Sequence, residues 1–407
     1  MNVDYFISKR LFTTKEKNNN HTRPILRIVI FAIALSLTIM ILFLSVVKGF
    51  KENISDKIIG FNSHISLMSY GSYESYEKEP INKNPELLTN LSSDNNIKHI
   101  QSFATKAGIL KNDQEILGVV LKGVDTDFNW NFIENYLTKG TVFKVIDSVS
   151  INQIVISKNI ANKLNLDVND HVLMYFVQDP PVIRKFLVTG IYDTDFSDFD
   201  NLMIYSDIKI IQKLNRWNKN QIGGYEIQIN DLDLLDKTTK KVYDEIDYNL
   251  DARNIKETNA QMFDWLNLQD MNTLVVLILL FTVALVNIII ALLILVLQRT
   301  KMIGILKALG CRNWIIRKIF LFNTLYLCAK GLFWGNVIGL SLAFLQKQFK
   351  IIGLNPDAYY MSTVPISIDF VNIVLLNLSI LFLCWISLLI PSIIIARINP
   401  IRSINYS

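Results

Sequence analysis

Four long apolar runs punctuate the chain. Ile28–Val47 and Met271–Gln298 carry no charge, Ile319–Gln346 is interrupted once by Lys330, and Phe370–Ala396 closes the series. Crossing a hydrocarbon core takes about 20 residues at ~1.5 Å rise each, so each run predicts a transmembrane helix. Between Lys48 and Asp270 the pattern changes to short alternating strands and amphipathic helices. Residues 64–70, 153–157, 171–177, 182–192, 202–206 and 224–229 read as strands, and 108–124 as a hairpin turning at Asn112-Asp113. Ser157 and Asp207 stand where helix caps belong, and a further helix is predicted over about 232–248. The polar, aromatic stretch 69–85 reads as a loop. The fold class predicted is an α-helical membrane protein with four transmembrane helices plus a large extracytoplasmic α+β domain.

Charge then sets the orientation. Lys9, Arg10, Lys15, Lys17, Arg23 and Arg27 precede the first span, six Lys or Arg and no acid fill 299–318, and Arg397 and Arg402 follow the last span. By the positive-inside rule both termini and the 299–318 segment are cytoplasmic. The expected division is a cytoplasmic segment 1–27, a span 28–47, an external domain 48–270 and a span 271–298. A basic cytoplasmic helix 299–318, a span 319–346, an external loop 347–369, a span 370–396 and a tail 397–407 complete it. The first run is too long for a usual signal-peptide core and lacks a small-residue cleavage site, so it reads as a retained anchor. A net charge of +5 belongs mostly to the cytoplasmic flanks and argues for membrane topology, with no nucleic-acid partner.

Candidate chemistry is sparse. Cys311, Cys328 and Cys384 all lie in or beside spans, so the external domain is expected to fold on its hydrophobic core without disulfides. His21, His64, His99 and His171 lack ligand spacing. The acidic run 193–200 lacks the glycine and final glutamate of an EF-hand loop and reads as solvated, so no metal site is expected. There is no Walker A motif, G-x-S-x-G or H-E-x-x-H, and no catalytic residue is assigned. In the third span Gly331, Gly335, Gly339 and Ala343 recur every fourth residue, a ridge of small residues suited to close helix packing. Lys330 beside it is expected roughly 15–18 Å deep, accommodated by snorkelling or a slightly shifted span, or facing a polar cavity or a lipid or substrate headgroup. Pro391 is expected to kink the fourth span.

Several stretches together resemble the FtsX/MacB-like permeases of ABC transporters, and among them the lipoprotein-releasing permeases LolC and LolE. They are SVVKGFKENISDKIIGFNSHISL (45–67), RKFLVTGIYDTDFSDFDNLMIYSD (184–207), MIGILKALGCRNWIIRKIF (302–320), NPDAYYMSTVPISID (355–369) and ARINPIRSI (396–404). The resemblance implies a MacB-like periplasmic domain and an FtsX-like permease region over 271–407, in the bacterial inner membrane. It makes 299–318 a coupling helix that docks on a cytoplasmic ATPase through Ile303, Leu306, Leu309 and Gly310, with Lys307 and Arg312 addressing acidic groups. It implies two copies of a LolD-like ATPase, which bind ATP and Mg, so that no cofactor sits in this chain. A second permease chain (same or paralogous), membrane lipid, a lipoprotein substrate and a LolA-like periplasmic chaperone complete the partners, with 178–185 the candidate chaperone loop. Because the first two spans border the cavity in this family, Met40, Phe43, Leu44, Val47 and Phe50, with Met271, Leu274 and Val275, are the expected lipoprotein contacts. An FtsX-like regulator of cell-wall hydrolases and a MacB-like efflux permease remain the alternatives.

Overall fold

A computed structural model describes residues 22–111, 115–146 and 149–387. The Asn112-Asp113 turn, His21, most of the N-terminal basic residues, Pro391 and the 396–404 tail lie outside the described residues. The chain divides into two compact units, a helical one (1–52, 266–352, 364–407) and an external one (53–265, 353–363).

Twelve strands and eight helices of eight residues or more are labelled here among the described residues. In chain order they begin with α1 (Thr22–Asn62), β1 (Ile65–Ser69), β2 (Ile81–Asn82), α2 (Pro85–Ser92), β3 (Ile97–Lys111), β4 (Ile116–Val124) and β5 (Leu137–Gly140). There follow β6 (Gln153–Ser157), β7 (His171–Phe176), β8 (Val182–Tyr192), β9 (Met203–Asp207), α3 (Ile208–Asn215), β10 (Gln221–Ile222), β11 (Gly224–Ile229), α4 (Leu235–Glu245) and β12 (Leu250–Asn254). The series ends with α5 (Ala260–Gln298), α6 (Thr300–Ala308), α7 (Asn313–Phe349) and α8 (Phe370–Ser387).

In the external unit ten strands form one sheet in the order β12-β1-β11-β3-β4-β9-β6-β8-β5. β7 pairs with both β3 and β8, so the path β3-β4-β9-β6-β8-β7 returns on itself and that end of the sheet is closed. Closure removes strand edges that would otherwise need covering. The caps read from sequence form: Ser157 Oγ accepts from Ile160 N at 3.1 Å, and Asp207 Oδ1 from Lys209 N at 2.9 Å. β3 starts at Ile97, eleven residues before a hairpin reading places it, because 97–107 lacks clean alternation and takes its order from β11 and β4. β12, β5 and α2 are further elements that periodicity passed over.

In the helical unit α1, α5, α7 and α8 are the helices long and apolar enough to cross a membrane. Three extend past their apolar runs, because a helix continues into water wherever its sequence permits. The single helix expected over 299–318 is broken. α6 ends at Ala308, Gly310 adopts φ +82°, and α7 begins at Asn313. Gly310 N donates to Lys307 O at 3.0 Å and Cys311 N to Leu306 O at 2.9 Å, the paired bonds of a Schellman stop. Gly310 supplies the stop, since glycine takes the left-handed conformation without steric cost, and the apolar spacing that continues past it does not carry the helix through.

Candidate functional site

The helical core gathers Ile33, Leu37 and Ile41 of α1 with Ala284, Ile288 and Leu292 of α5, and with residues of α6, α7 and α8. Gly331, Gly335 and Gly339 face α1 at close range. A Cβ on Gly335 would stand 2.9 Å from Ala34 O and 3.0 Å from Leu37 Cβ, and one on Gly331 2.7 Å from Ile33 Cβ. Thr38 Oγ1 donates to Gly335 O at 3.2 Å across this contact, and Ala343 is buried at the ridge's far end. Between α7 and α8, Asn336 and Asn377 exchange amide hydrogen bonds of 2.7 and 3.1 Å, and each also bonds a carbonyl of its own helix. Cys328 and Cys384 are joined across the same two helices.

The ridge fixes depth. Gly331 lies against Ile30 and Ile33, three to six residues beyond Arg27, so Lys330 sits only about 5–9 Å inside the level of Arg27 at ~1.5 Å per residue. Measured along α1, this is less than the roughly 15–18 Å counted within the third span, in the direction of a slightly shifted span. α7 begins at Asn313, well before it meets α1 at Gly331, so a count from its own apolar start gives the larger value. Lys330 is exposed, its Nζ 4.5 Å from the Tyr326 ring centroid, and a lysine at this depth reaches the interface with its own stem.

At the other end two ion pairs tie α1 to its neighbours. Lys51 pairs with Asp270 of α5 at 2.7 Å, and Lys48 with Asp369 at 2.5 Å before α8. Phe43, Leu44, Val47 and Phe50 are half-buried just below and around this belt, while Met271, Leu274 and Val275 are mostly exposed. Met40 is a correction: it is fully buried inside the bundle, so it packs helices and cannot touch a ligand without rearrangement. α5 joins the core through Leu280, Phe281, Ala284, Ile288 and Leu292, so its outer half presents Met271, Leu274, Val275, Ile278 and Leu279 outward.

At the turn between α6 and α7, Ile303 is a second correction. It is 0% exposed and Leu306 packs against the same core, so both anchor the turn to the bundle. The apolar groups that face outward are Leu309, 79% exposed, with Ile305 and Trp314. Gly310 and Arg312 are exposed beside them, and Lys307 is half-buried. The 303/306 and 305/309 stripes are equally apolar in sequence, and which one faces inward is set by packing. Trp314 was missed because it follows the helix stop.

In the external unit, Lys122 Nζ donates to Glu226 Oε1 at 2.5 Å and to Phe61 O at 2.6 Å, while Gln101 Nε2 donates to Glu226 Oε2 at 2.8 Å. The pair lines a cavity of about 330 Å³ with Met68, Phe103 and Met203. Among the described residues no group of three or more His, Cys, Asp or Glu is gathered to hold a metal. Within 193–200, Asp193 pairs with Lys158 at 2.7 Å, and buried Asp200 accepts from the Thr194 hydroxyl at 2.7 Å. The 178–185 stretch forms the turn of the β7–β8 hairpin and the start of β8, where Leu173, Val177 and Ile183 are exposed.

A mixed α/β domain inserted after the first of four membrane-type helices, with a short helical turn between the second and third, defines a polytopic permease architecture. Residues 28–243 match the MacB-like periplasmic core domain, and 274–400 match the FtsX-like permease C-terminal domain. The chain belongs to this family of MacB-like, FtsX-like permeases. It is similar over 95% of its length, at 25% identity, to the lipoprotein-releasing system transmembrane protein LolC of Buchnera aphidicola (subsp. Schizaphis graminum), covering 94% of that protein. It is 23% identical over its whole length, and that of the relative, to the lipoprotein-releasing system transmembrane protein LolE of Haemophilus influenzae. The crystal structure of the periplasmic region of MacB from Actinobacillus actinomycetemcomitans aligns with 51% of this chain and 95% of its own, at 17% identity and a TM-score of 0.35.

Proposed function

We propose that the chain is the permease subunit of an ABC transporter that extracts lipoproteins from the inner membrane. Its external unit lies in the periplasm, and both termini and the α6–α7 turn are cytoplasmic. The observation that carries the reading is the division of surfaces in the helical unit. The inner end closes as a packed core with Leu309, Ile305 and Trp314 outward, while the outer half of α5 leaves large apolar side chains uncovered beside half-buried Phe43, Leu44 and Val47. A docking knob at one end and an apolar wall at the other suit a machine that converts an ATPase stroke into work on acyl chains. Each acyl CH₂ held in a bilayer is worth about 0.8 kcal/mol, so extraction needs an outside energy source. LolD-like ATPase subunits, two per complex, supply it by binding ATP and Mg. A second permease chain faces the uncovered half of α5, and a LolA-like chaperone accepts the lipoprotein near the β7–β8 turn.

Purification of the native complex from membranes, with every subunit and bound lipid identified, tests this. An ATPase, a permease and a triacylated lipoprotein are expected. Recovery of a cell-wall hydrolase activator in place of lipoprotein would establish the FtsX-like regulator instead. In the same preparation Leu309→Asp is expected to lose the ATPase, since a carboxylate does not enter an apolar groove cheaply.

A further inference from the structure

The polar, aromatic stretch 69–85 has no part in the transport reading, yet within the external unit it roofs a cavity. That cavity measures about 330 Å³, at the small end of the ~300–1,000 Å³ typical of ligand pockets. Its floor is apolar, with Met68 of β1, Phe103 of β3, Met203 of β9 and Phe199, and the two thioethers adapt to bodies of varied shape. One wall is the Lys122–Glu226 pair of β4 and β11. Residues 73–76 and Lys78 make the roof.

Loops of this polarity ordinarily run over the surface in water, but this one is pinned. The Tyr73 hydroxyl accepts from Arg253 N at 3.1 Å, and the Arg253 guanidinium lies 4.5 Å from the Tyr73 ring centroid. Thr105 Oγ1 donates to Tyr76 O at 2.7 Å, and Glu77 pairs with Lys106 of β3 at 3.3 Å. The roof is therefore an ordered wall of the cavity.

Charge decides what such a cavity takes. Lys122 is held by Glu226 and Phe61 O, and Gln101 bonds the other oxygen of Glu226, so that wall is neutral overall. Glu74 is exposed, Glu77 is taken by Lys106, and burial keeps the Tyr73 hydroxyl protonated. Lys78 differs from all of these. Its stem lies against Gly223, its Nζ donates to Ser72 O at 2.8 Å, and it forms no ion pair among the described residues. Burial lowers it to about 8, and no neighbouring acid offsets that. A half-buried ammonium beside an apolar floor, without a counter-charge, is complementary to an anion that carries an apolar body. One free positive charge matches a carboxylate better than a phosphate ester, which brings a charge of roughly −1.5 to −2.

We infer that the cavity under residues 73–78 is a binding site for a small amphiphilic carboxylate, its charged end on Lys78 and its apolar body against Met68, Phe103 and Met203. Two sources carry that chemistry, a free acyl chain and the C-terminus of a polypeptide. The site lies wholly within the external unit and stands whether or not the transport reading does.

The test uses the full chain in phosphatidylcholine nanodiscs with two probes, octanoate for the acyl source and N-acetyl-leucine for the peptide source. Isothermal titration at pH 8, in two buffers of different ionisation heat, is expected to show saturable binding of at least one probe. About half a proton should be taken up on binding, because the anion draws Lys78 back to its charged form. Affinity should fall about tenfold from pH 7 to pH 9, since above about 8 the free site must first gain a proton. The probe that binds names the source. Lys78→Met is expected to abolish saturable binding and proton uptake, and Lys78→Arg to keep binding without the uptake, because a guanidinium stays charged. A measurement on the wild-type chain needs no variant to fold. Acetylation of Lys78, located by mass spectrometry, should slow about tenfold with probe at ten times its Kd, while that of exposed Lys219 does not change. Octanamide bound as tightly as octanoate, uptake that survives in Lys78→Met, saturable binding of neither probe, or unprotected Lys78 would each overturn the site.

Discussion

In the external unit, Lys122 and Glu226 form a buried ion pair, 2.5 Å apart and held by Phe61 O and Gln101. Inside the helical unit, Asn336 and Asn377 make a neutral pair of similar reciprocity. Every buried charged residue among the described ones lies in the external unit. The difference follows from the solvent each unit folds in. In water, an alternating strand declares its buried face, and a charge can be taken under it if its partners come along. In lipid, burial gains little for an apolar side chain, so close backbone approach and amide pairing decide which faces meet.

The largest test of this contrast is Lys122→Met. It strands Glu226 in the interior and is expected to destabilise the external unit by roughly 3–5 kcal/mol, whereas Lys122→Met with Glu226→Leu together should recover most of the loss. Chemical denaturation followed by tryptophan fluorescence, to which Trp130, edge-on to Phe143 and tilted against Tyr205, contributes from within this unit, reads both. Equal losses in the single and double variants would mean that the pair matters for shape and not for charge.

Acid should separate two groups of the same unit that oppose each other. Burial, with help from Lys98, holds His64 down from 6.5 to about 4, and its Nδ1 accepts from Ile229 N at 3.3 Å. The unfolded chain therefore takes up a proton at His64 before the folded one does, and stability is lost as pH falls from 6.5 toward 4. Burial raises Asp200 from 3.8 to about 6, the reverse case. The folded state binds that proton first, so stability is gained as pH falls from about 6 toward 4. Each effect is up to ~3 kcal/mol at 1.36 kcal/mol per pKa unit, and they nearly cancel. His64→Asn is expected to make the unit more stable at pH 5 than at pH 7, and Asp200→Asn less stable. Melting temperatures at the two pH values check this, and shifts of the same sign in both variants would refute the opposition.

Gly335→Leu tests the lipid side of the comparison. Its side chain would meet Ala34 and Leu37 of α1, and overpacking of this kind costs roughly 1–3 kcal/mol, read as earlier thermal inactivation in detergent. Unchanged stability would place that face against nothing that matters. The smallest effect belongs to the amide pair. Asn336→Leu is expected to cost about 1 kcal/mol or less, and Asn336→Leu with Asn377→Leu to be close to neutral, since a paired amide in lipid is worth little beyond its own satisfaction. A loss as large as that of Lys122→Met would erase the contrast between the units.

Sequence by itself determined the four apolar helices, the insertion of a mixed domain after the first, the ridge Gly331–Gly335–Gly339, and the capped strand–helix junctions at Ser157 and Asp207. Each rests on a local signal, whether run length, fourfold spacing or a cap residue, that needs no distant partner. Tertiary structure alone decided that Met40 and Ile303 face inward while Leu309 and Trp314 face out, because a helix apolar all round carries no mark of its buried side. It also set the level of Lys330 against α1, which α7's own apolar run does not record. Only packing joined Lys57, Asp195 and Tyr360, residues separated by more than a hundred positions, since no local pattern records which loop a distant carbonyl will meet.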